Sequence, residues 1–281
     1  IGRSVLRASL QSENRDLQIV GINDIASPEM CAYLFEFDSV FGPWRGLVAL
    51  QDGALVIDGR AIPLHRTPDI SGLDLTDIDL VMECTGRADK RDIADRGLRA
   101  GAARVLISGP SAAADLTVVL GANDAELGAH PIVSNASCTT NALAPLARLI
   151  HEHWGVITGS MTTIHCYTGS QPTVDMPAAD FSRSRAAALS MVPTTTSAQR
   201  MLDQVLPQIA GRIEGSAVRV PTASVSAVDL CVMTDRFAAR DEVNAVLVAA
   251  GGVIGTTDKP LVSSDLRARP ESIIMALPET R

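Results

Sequence analysis

Short apolar runs that alternate with helical ones, each stopping at a small polar turn, constrain this chain more than any other feature. Residues 78–82 form one such run, closed by Glu83-Cys84-Thr85-Gly86 and followed by a helical pattern over 90–100 that stops at Gly101. Residues 104–107 form the next, closed by Ser108-Gly109-Pro110, and residues 116–120 another. Such alternation predicts a parallel sheet with a ligand along its carboxyl edge. The turns at Thr85-Gly86 and Ser108-Gly109 are candidate contacts, and they read almost as well as plain loop chemistry.

Ahead of them, residues 1–10 read as a helix with Val5, Leu6 and Leu10 on one side, and residues 17–22 as a strand ending at Asn23-Asp24. In a dinucleotide-binding βαβ unit an acid at a strand end holds the ribose hydroxyls, ~20 residues after the glycine turn. Gly2 stands 22 positions before Asp24 and fits the last glycine of that turn, although no complete GxGxxG is present. Asp24 also reads as a turn residue or helix cap. Asp52-Gly53 and Asp58-Gly59, among alternating apolar residues over 47–62, predict hairpins.

A second focus is Ser134-Asn135-Ala136-Ser137-Cys138-Thr139-Thr140-Asn141, between an apolar strand (131–133) and a helical run (142–154). A helix start presents free N–H groups and positive potential. A thiol there ionises below its free value of ~8.5 and becomes nucleophilic, and the hydroxyls around it suit an oxyanion or a phosphate. Leu143, Leu146, Ala147, Ile150 and Trp154 keep helical spacing, but Pro145 costs ~3 kcal/mol inside a helix and predicts either a bend, which would free the Asn141 carbonyl, or a special first turn.

Beyond Cys138 the pattern turns to long alternating strands, over 160–167, 216–220 and 224–233, with a helix over 196–205. This half reads as α+β with a mostly antiparallel sheet. Thr163, His165 and Tyr167 share one strand face. His165 is the candidate base for Cys138, with a satisfied structural histidine as the alternative. Arg219 interrupts an apolar strand, and buried arginines want an anion. Arg183 and Arg185, with Thr194-Thr195-Thr196-Ser197 at a helix start, would form phosphate-sized sites; helix capping plus a surface arginine explains them equally well.

Composition narrows the classes. With 24 basic and 32 acidic residues the net charge is −8, which argues against a nucleic-acid surface. No apolar run approaches the ~18 residues of a membrane span. Five widely spaced cysteines without a CxxC argue against a disulfide framework and for the cytoplasm, and no Cys/His spacing forms a metal site.

The octapeptide around Cys138, His165 twenty-seven residues later, and Ala217-Val218-Arg219-Val220-Pro221-Thr222 closely resemble glyceraldehyde-3-phosphate dehydrogenase, over nearly the whole chain. The resemblance implies a Rossmann-type NAD-binding domain over 1–137, an α+β catalytic domain over 138–281, and a homotetramer. It implies attack by Cys138 on a phosphorylated aldose, with His165 as base, hydride transfer to NAD, and release of the thioester to inorganic phosphate. Ser137, Thr139, Thr168, Arg183, Thr196, Ser197 and Arg219 match positions that hold substrate and phosphate. Ile1, Asp24, Arg66, Thr85 and Ser108 match cofactor contacts, and Asp24 favours NAD over NADP. Erythrose-4-phosphate dehydrogenase, which releases a free acid to water, is the sister reading, and a binding protein of the same fold the non-catalytic one. Ser197 stands where the family usually has glycine, Ala142 where it often has a second cysteine, and the run 248–254 is short. Against the family pattern both chain ends look truncated, within the glycine turn and before a nicotinamide-contacting asparagine.

Overall fold

The structure, a computed structural model, describes residues 1–13 and 16–281. By backbone contacts the chain divides into two compact units: Ile1–Asp115 with Pro131–Val133, and Leu116–His130 with Ser134–Arg281.

The first unit begins with helix α1 (Gly2–Gln11). Strand β1 (Ile22–Asn23) follows, then helix α2 (Pro28–Glu36), started by Ser27, whose hydroxyl accepts the Met30 N–H, and by a proline in its first turn. Strands β2 (Val48–Gln51), β3 (Ala54–Ile57) and β4 (Arg60–His65) form the expected hairpins, with Asp52, Gly53, Asp58 and Gly59 all at positive φ. That is the geometry Asp-Gly turns favour. β4 then pairs in parallel with β1. A second sheet contains β5 (Leu80–Glu83), paired in parallel with β6 (Arg104–Ile107), and β7 (Ile132–Ser134) beside β6. The parallel strands expected as one sheet therefore lie in two. Helix α1 serves both: Leu6 packs with Ile19 and Ile22, while a side chain at Gly2 would touch Cys84 at 3.5 Å.

Several expected elements differ in extent. Of residues 17–22 only Ile22 enters a strand, and the strand over 116–120 shrinks to Leu116–Thr117. The helix over 90–100 is two short ones, Arg91–Ala94 and Arg96–Arg99, broken at Asp95. Gly97 sets that break against the sheet: a Cβ there would lie 2.9 Å from Val105 and 3.1 Å from Val81.

The second unit is built on helix α3 (Cys138–Trp154), which continues through Pro145 and ends at Gly155 with φ 70°. Its sheet has the order β9 (Val192–Thr194), β10 (Ile213–Val220), β8 (Val156–Cys166), β11 (Ala227–Thr234). β8 and β10 are parallel and the two outer pairings antiparallel, so the sheet is mixed with antiparallel pairs in the majority. Leu143, Ala144 and Ala147 of α3, Leu202 and Val205 of α4 (Ala198–Val205), and Met161 and Ile213 of the sheet make one apolar core. On the other side of α3, Leu146 packs with Leu247 of α5 (Arg240–Ala250) and with Ile254 and Ile273, from the parallel pair β12 (Ile254–Thr257) and β13 (Ile273–Ala276).

Candidate active site

The octapeptide forms a braced turn into α3. Ala136 adopts φ 55°, a left-handed conformation that costs a non-glycine residue of order 1–3 kcal/mol. The Asn141 amide bridges the turn, donating to Asn135 O at 2.7 Å and Ser137 O at 3.0 Å. Ser137 is the cap, its Oγ accepting the Thr140 N–H at 3.1 Å. Cys138 is thereby fixed as the first residue of the helix.

His165 comes from β8. Its side chain is buried, and its Nε2 lies 3.2 Å from Cys138 Sγ. Burial raises the thiol pKa, but the hydrogen bond and charge of His165, with the Thr139 N–H and hydroxyl, outweigh it and leave Cys138 below the ordinary thiol value. The Cys138 hydrogen bond, then one from Cys166, outweigh burial and push the imidazole up to about 10. Both shifts favour thiolate and imidazolium, and the two groups titrate as a pair.

The parallel register of β8 on β10 sets Thr163 beside Ala217 and His165 beside Arg219. Arg219 Nη1 lies 2.7 Å from His165 Nδ1 and donates to the Cys166 carbonyl at 2.9 Å; that carbonyl is itself 2.7 Å from Nδ1. Opposite the sheet, Arg183 donates through Nε to Thr194 Oγ1 at 2.8 Å and through Nη2 to Thr194 and Thr195. These groups enclose a cavity of about 330 Å³, with Cys138 and His165 on one wall, Arg183 and Arg219 on others, and hydroxyls of Ser137, Thr139, Thr195, Thr196 and Ser197 between. The volume suits a small ligand, and its cations and hydroxyls suit phosphate oxygens.

Two expected members stand apart. Thr168 lies beyond the end of β8, outside the cavity lining, with its hydroxyl 3.0 Å from Ser170. Arg185 pairs with Asp175 at 2.8 Å, so the second arginine of the Ser-Arg-Ser-Arg run is spent on an ion pair. Two lining residues escaped the sequence reading. Ala217 carries no chemistry, and Thr163 is buried, with a hydroxyl that has no partner among the described residues. Its signal was present, two residues before His165 on the same strand face.

The first unit fits an extended dinucleotide. Ile1 precedes α1 without a side-chain cap, and the first turn of α1 holds no acid, so its N–H groups face no competing carboxylate and suit a pyrophosphate. Asp24 follows β1 with an exposed carboxylate that accepts the Ala26 N–H at 2.9 Å, and its own N–H donates to His65 O. Arg66 follows the adjacent parallel strand β4. Thr85, leading into Gly86 at φ 72°, and Ser108 follow β5 and β6. All four predicted contacts sit at the carboxyl ends of parallel strands, where such ligands bind. No group of metal-ligating side chains occurs among the described residues.

Two family profiles match the chain. Residues 1–91 match the family profile "Glyceraldehyde 3-phosphate dehydrogenase, NAD binding domain" and residues 137–281 the profile "Glyceraldehyde 3-phosphate dehydrogenase, C-terminal domain". Glyceraldehyde-3-phosphate dehydrogenases of Xanthobacter flavus and Cereibacter sphaeroides are each 43% identical over 100% of this chain and 86% of their own length. That of Geobacillus stearothermophilus is 42% identical over 94% of this chain and 81% of its own. Both profiles fall in order on one polypeptide and the relatives run along all or nearly all of it, so this chain belongs to the glyceraldehyde-3-phosphate dehydrogenase family.

Proposed function

We propose that this protein oxidises glyceraldehyde 3-phosphate with NAD and inorganic phosphate, giving 1,3-bisphosphoglycerate. The observation that carries the reading is the 3.2 Å contact between Cys138 Sγ and His165 Nε2 in a cavity walled by two arginines and a row of hydroxyls. Residues 1–137 are assigned to the cofactor and 138–281 to the chemistry.

The Cys138 thiolate attacks the aldehyde carbon, and the carbonyl oxygen becomes a hydroxyl by taking the imidazolium proton. The backbone N–H groups at the start of α3 orient that oxygen. His165 Nε2 takes the proton back as the carbon is oxidised, leaving a thioester on Cys138. NAD, when bound, supplies the hydride acceptor for that oxidation. Ser137, Thr139, Thr196, Ser197, Arg183 and Arg219 hold the two phosphate groups. Inorganic phosphate then attacks the thioester and frees the thiolate. Ile1, Asp24, Arg66, Thr85 and Ser108 hold the dinucleotide.

We also infer a homotetramer in the cytoplasm. Phe181, Leu189 and Met191 of the loop between β8 and α4 are 91%, 83% and 75% exposed, an apolar surface that a second copy would cover. All five cysteines are free, as in a reducing compartment, and no helix among the described residues is long and apolar enough to cross a membrane. Native mass measurement tests the assembly.

The function is tested by NADH formation from the three- and four-carbon sugar phosphates, with and without inorganic phosphate. Phosphate-dependent turnover of the three-carbon sugar is expected. Phosphate-independent oxidation of erythrose 4-phosphate would replace this reading with the hydrolytic one, and no oxidation of either sugar would leave a binding protein.

A further inference from the structure

The imidazole of His165 has an ambiguous neighbour at Nδ1: an acceptor, the Cys166 carbonyl, and a donor, Arg219 Nη1, each 2.7 Å away. The carbonyl oxygen only accepts and the guanidinium only donates, so the two select opposite tautomers. With the proton on Nδ1 and donated to Cys166 O, Nε2 is free to take a proton. With Nδ1 accepting from Arg219, Nε2 carries the proton and cannot act as base. Arg219 also donates to Cys166 O, so a well-placed carbonyl satisfies both cations and favours the base-competent form.

What places that carbonyl is not the sheet alone. The antiparallel pairing of β8 with β11 ends at Ile164 opposite Ala227, two residues short of Cys166. There a side chain takes over: Ser226 Oγ accepts the Cys166 N–H at 3.2 Å and donates to Cys166 Sγ at 3.5 Å. Tyr167 N–H, donating to Thr222 O at 3.0 Å, fixes the far side of the same carbonyl. We propose that Ser226 is a positioning residue for the oxidation, holding Cys166 so that its carbonyl keeps the His165 proton on Nδ1 and leaves Nε2 as the base. Ser226 touches no reacting atom and acts through the Cys166 backbone. This rests on the reading of Cys138 and His165 as nucleophile and base.

The test compares Ser226→Ala and Ser226→Thr with the unaltered protein. The titratable and charged groups facing the imidazole are Cys138, Cys166 and Arg219, with Arg183 beyond Arg219, and none of them is changed. Two readouts are taken: kcat and KM for the sugar phosphate, and the pH profile of Cys138 alkylation by iodoacetamide followed by peptide mass analysis. The second needs neither substrate nor cofactor, so it stands even if the assigned reaction fails. For Ser226→Ala we expect kcat to fall about tenfold, as for one lost hydrogen bond, with KM little changed. The alkylation profile should move to higher pH, because a loosened Nδ1–H bond stabilises imidazolium, and through it thiolate, less well. Ser226→Thr, which keeps the hydroxyl, should restore both. If Ser226→Ala does not fold, Ser226→Cys, with a weak acceptor in the same space, should give the same shifts in smaller measure. A folded variant with an unmoved alkylation profile would overturn the proposal, whatever its kcat.

Discussion

Replacing His165 with asparagine separates its two roles, because alkylation needs only the thiolate whereas turnover needs the thiolate and the base. As a charge partner it does no more than keep Cys138 ionised. A thiol at its free pKa of ~8.5 is ~3% thiolate at pH 7, a ~30-fold loss that the burial of Cys138, no longer offset by His165, increases. The higher-pKa thiolate is intrinsically more nucleophilic, which returns part of that loss. As a proton acceptor it does more: losing a general base costs ~10²–10⁴-fold in turnover. His165→Asn should therefore lose at least several-fold more turnover than alkylation rate when both are measured at pH 7. Alkylation is followed with labelled iodoacetamide on the Cys138 peptide, and turnover by NADH formation at saturating substrates. Equal losses in the two assays would refute the base role and leave His165 as a charge partner only.

The same pair predicts a pH window for stability. The imidazole, raised to about 10, stabilises the fold below its ordinary pKa and loses that contribution as pH rises through 10; the lowered Cys138 thiol contributes above its ordinary value and loses it as pH falls through the folded one. Melting of the parent and His165→Asn should differ most between these limits and converge by pH 11; a constant gap would contradict the pairing. Arg7→Ala should destabilise the first unit by about 2–4 kcal/mol, since Arg7 is 6% exposed, donates to Phe35 O at 2.7 Å and lies 5.4, 6.0 and 5.3 Å from the Phe35, Phe41 and Trp44 rings; a urea titration with no shift would discard the cage. Ser137→Ala should cost about 1 kcal/mol through loss of the Thr140 cap, read as a lower midpoint of thermal unfolding. Arg183→Lys keeps the charge but loses the fork onto Thr194 and Thr195, and should raise KM for the sugar phosphate about tenfold with kcat nearly kept; an unchanged KM would remove Arg183 from phosphate binding.

Much of the chemistry was legible in the sequence because it follows from local rules. A helix just after the octapeptide is readable, although it starts at Cys138 with Ser137 as its cap rather than at 142, and the strand period of two puts His165 on one face with Thr163. The Asp-Gly hairpins were equally direct. Features decided by other parts of the chain were not. Pro145 reads as a conflict inside the helix, and α3 continues through it because tertiary packing of Leu143, Ala144 and Leu146 outweighs one lost hydrogen bond. Arg183 and Arg185 look alike in sequence, and only the placement of Asp175 and Thr194 separates an ion pair from a cavity cation. Arg7 reads as a surface residue of an amphipathic helix until three aromatic rings from residues 35–44 close over it. Ser226 is silent in sequence because its role depends on where a β ladder happens to stop.

The parallel pairing of β8 with β10 also bears on how the gene can change. A shift of one residue in β8 would put Ile164 and Cys166 where Thr163 and His165 now face the cavity, and the same shift in β10 would put Val218 and Val220 in place of Ala217 and Arg219. One codon gained or lost inside β8 thus removes the base, and inside β10 the arginine, although no functional residue is mutated. Between the strands lie residues 167–212, and length changes there leave the frame of both strands intact. Insertions and deletions that accumulate in working descendants of this sequence should therefore fall in that connection, away from Arg183 and Thr194–Ser197, and be absent from 161–166 and 215–220.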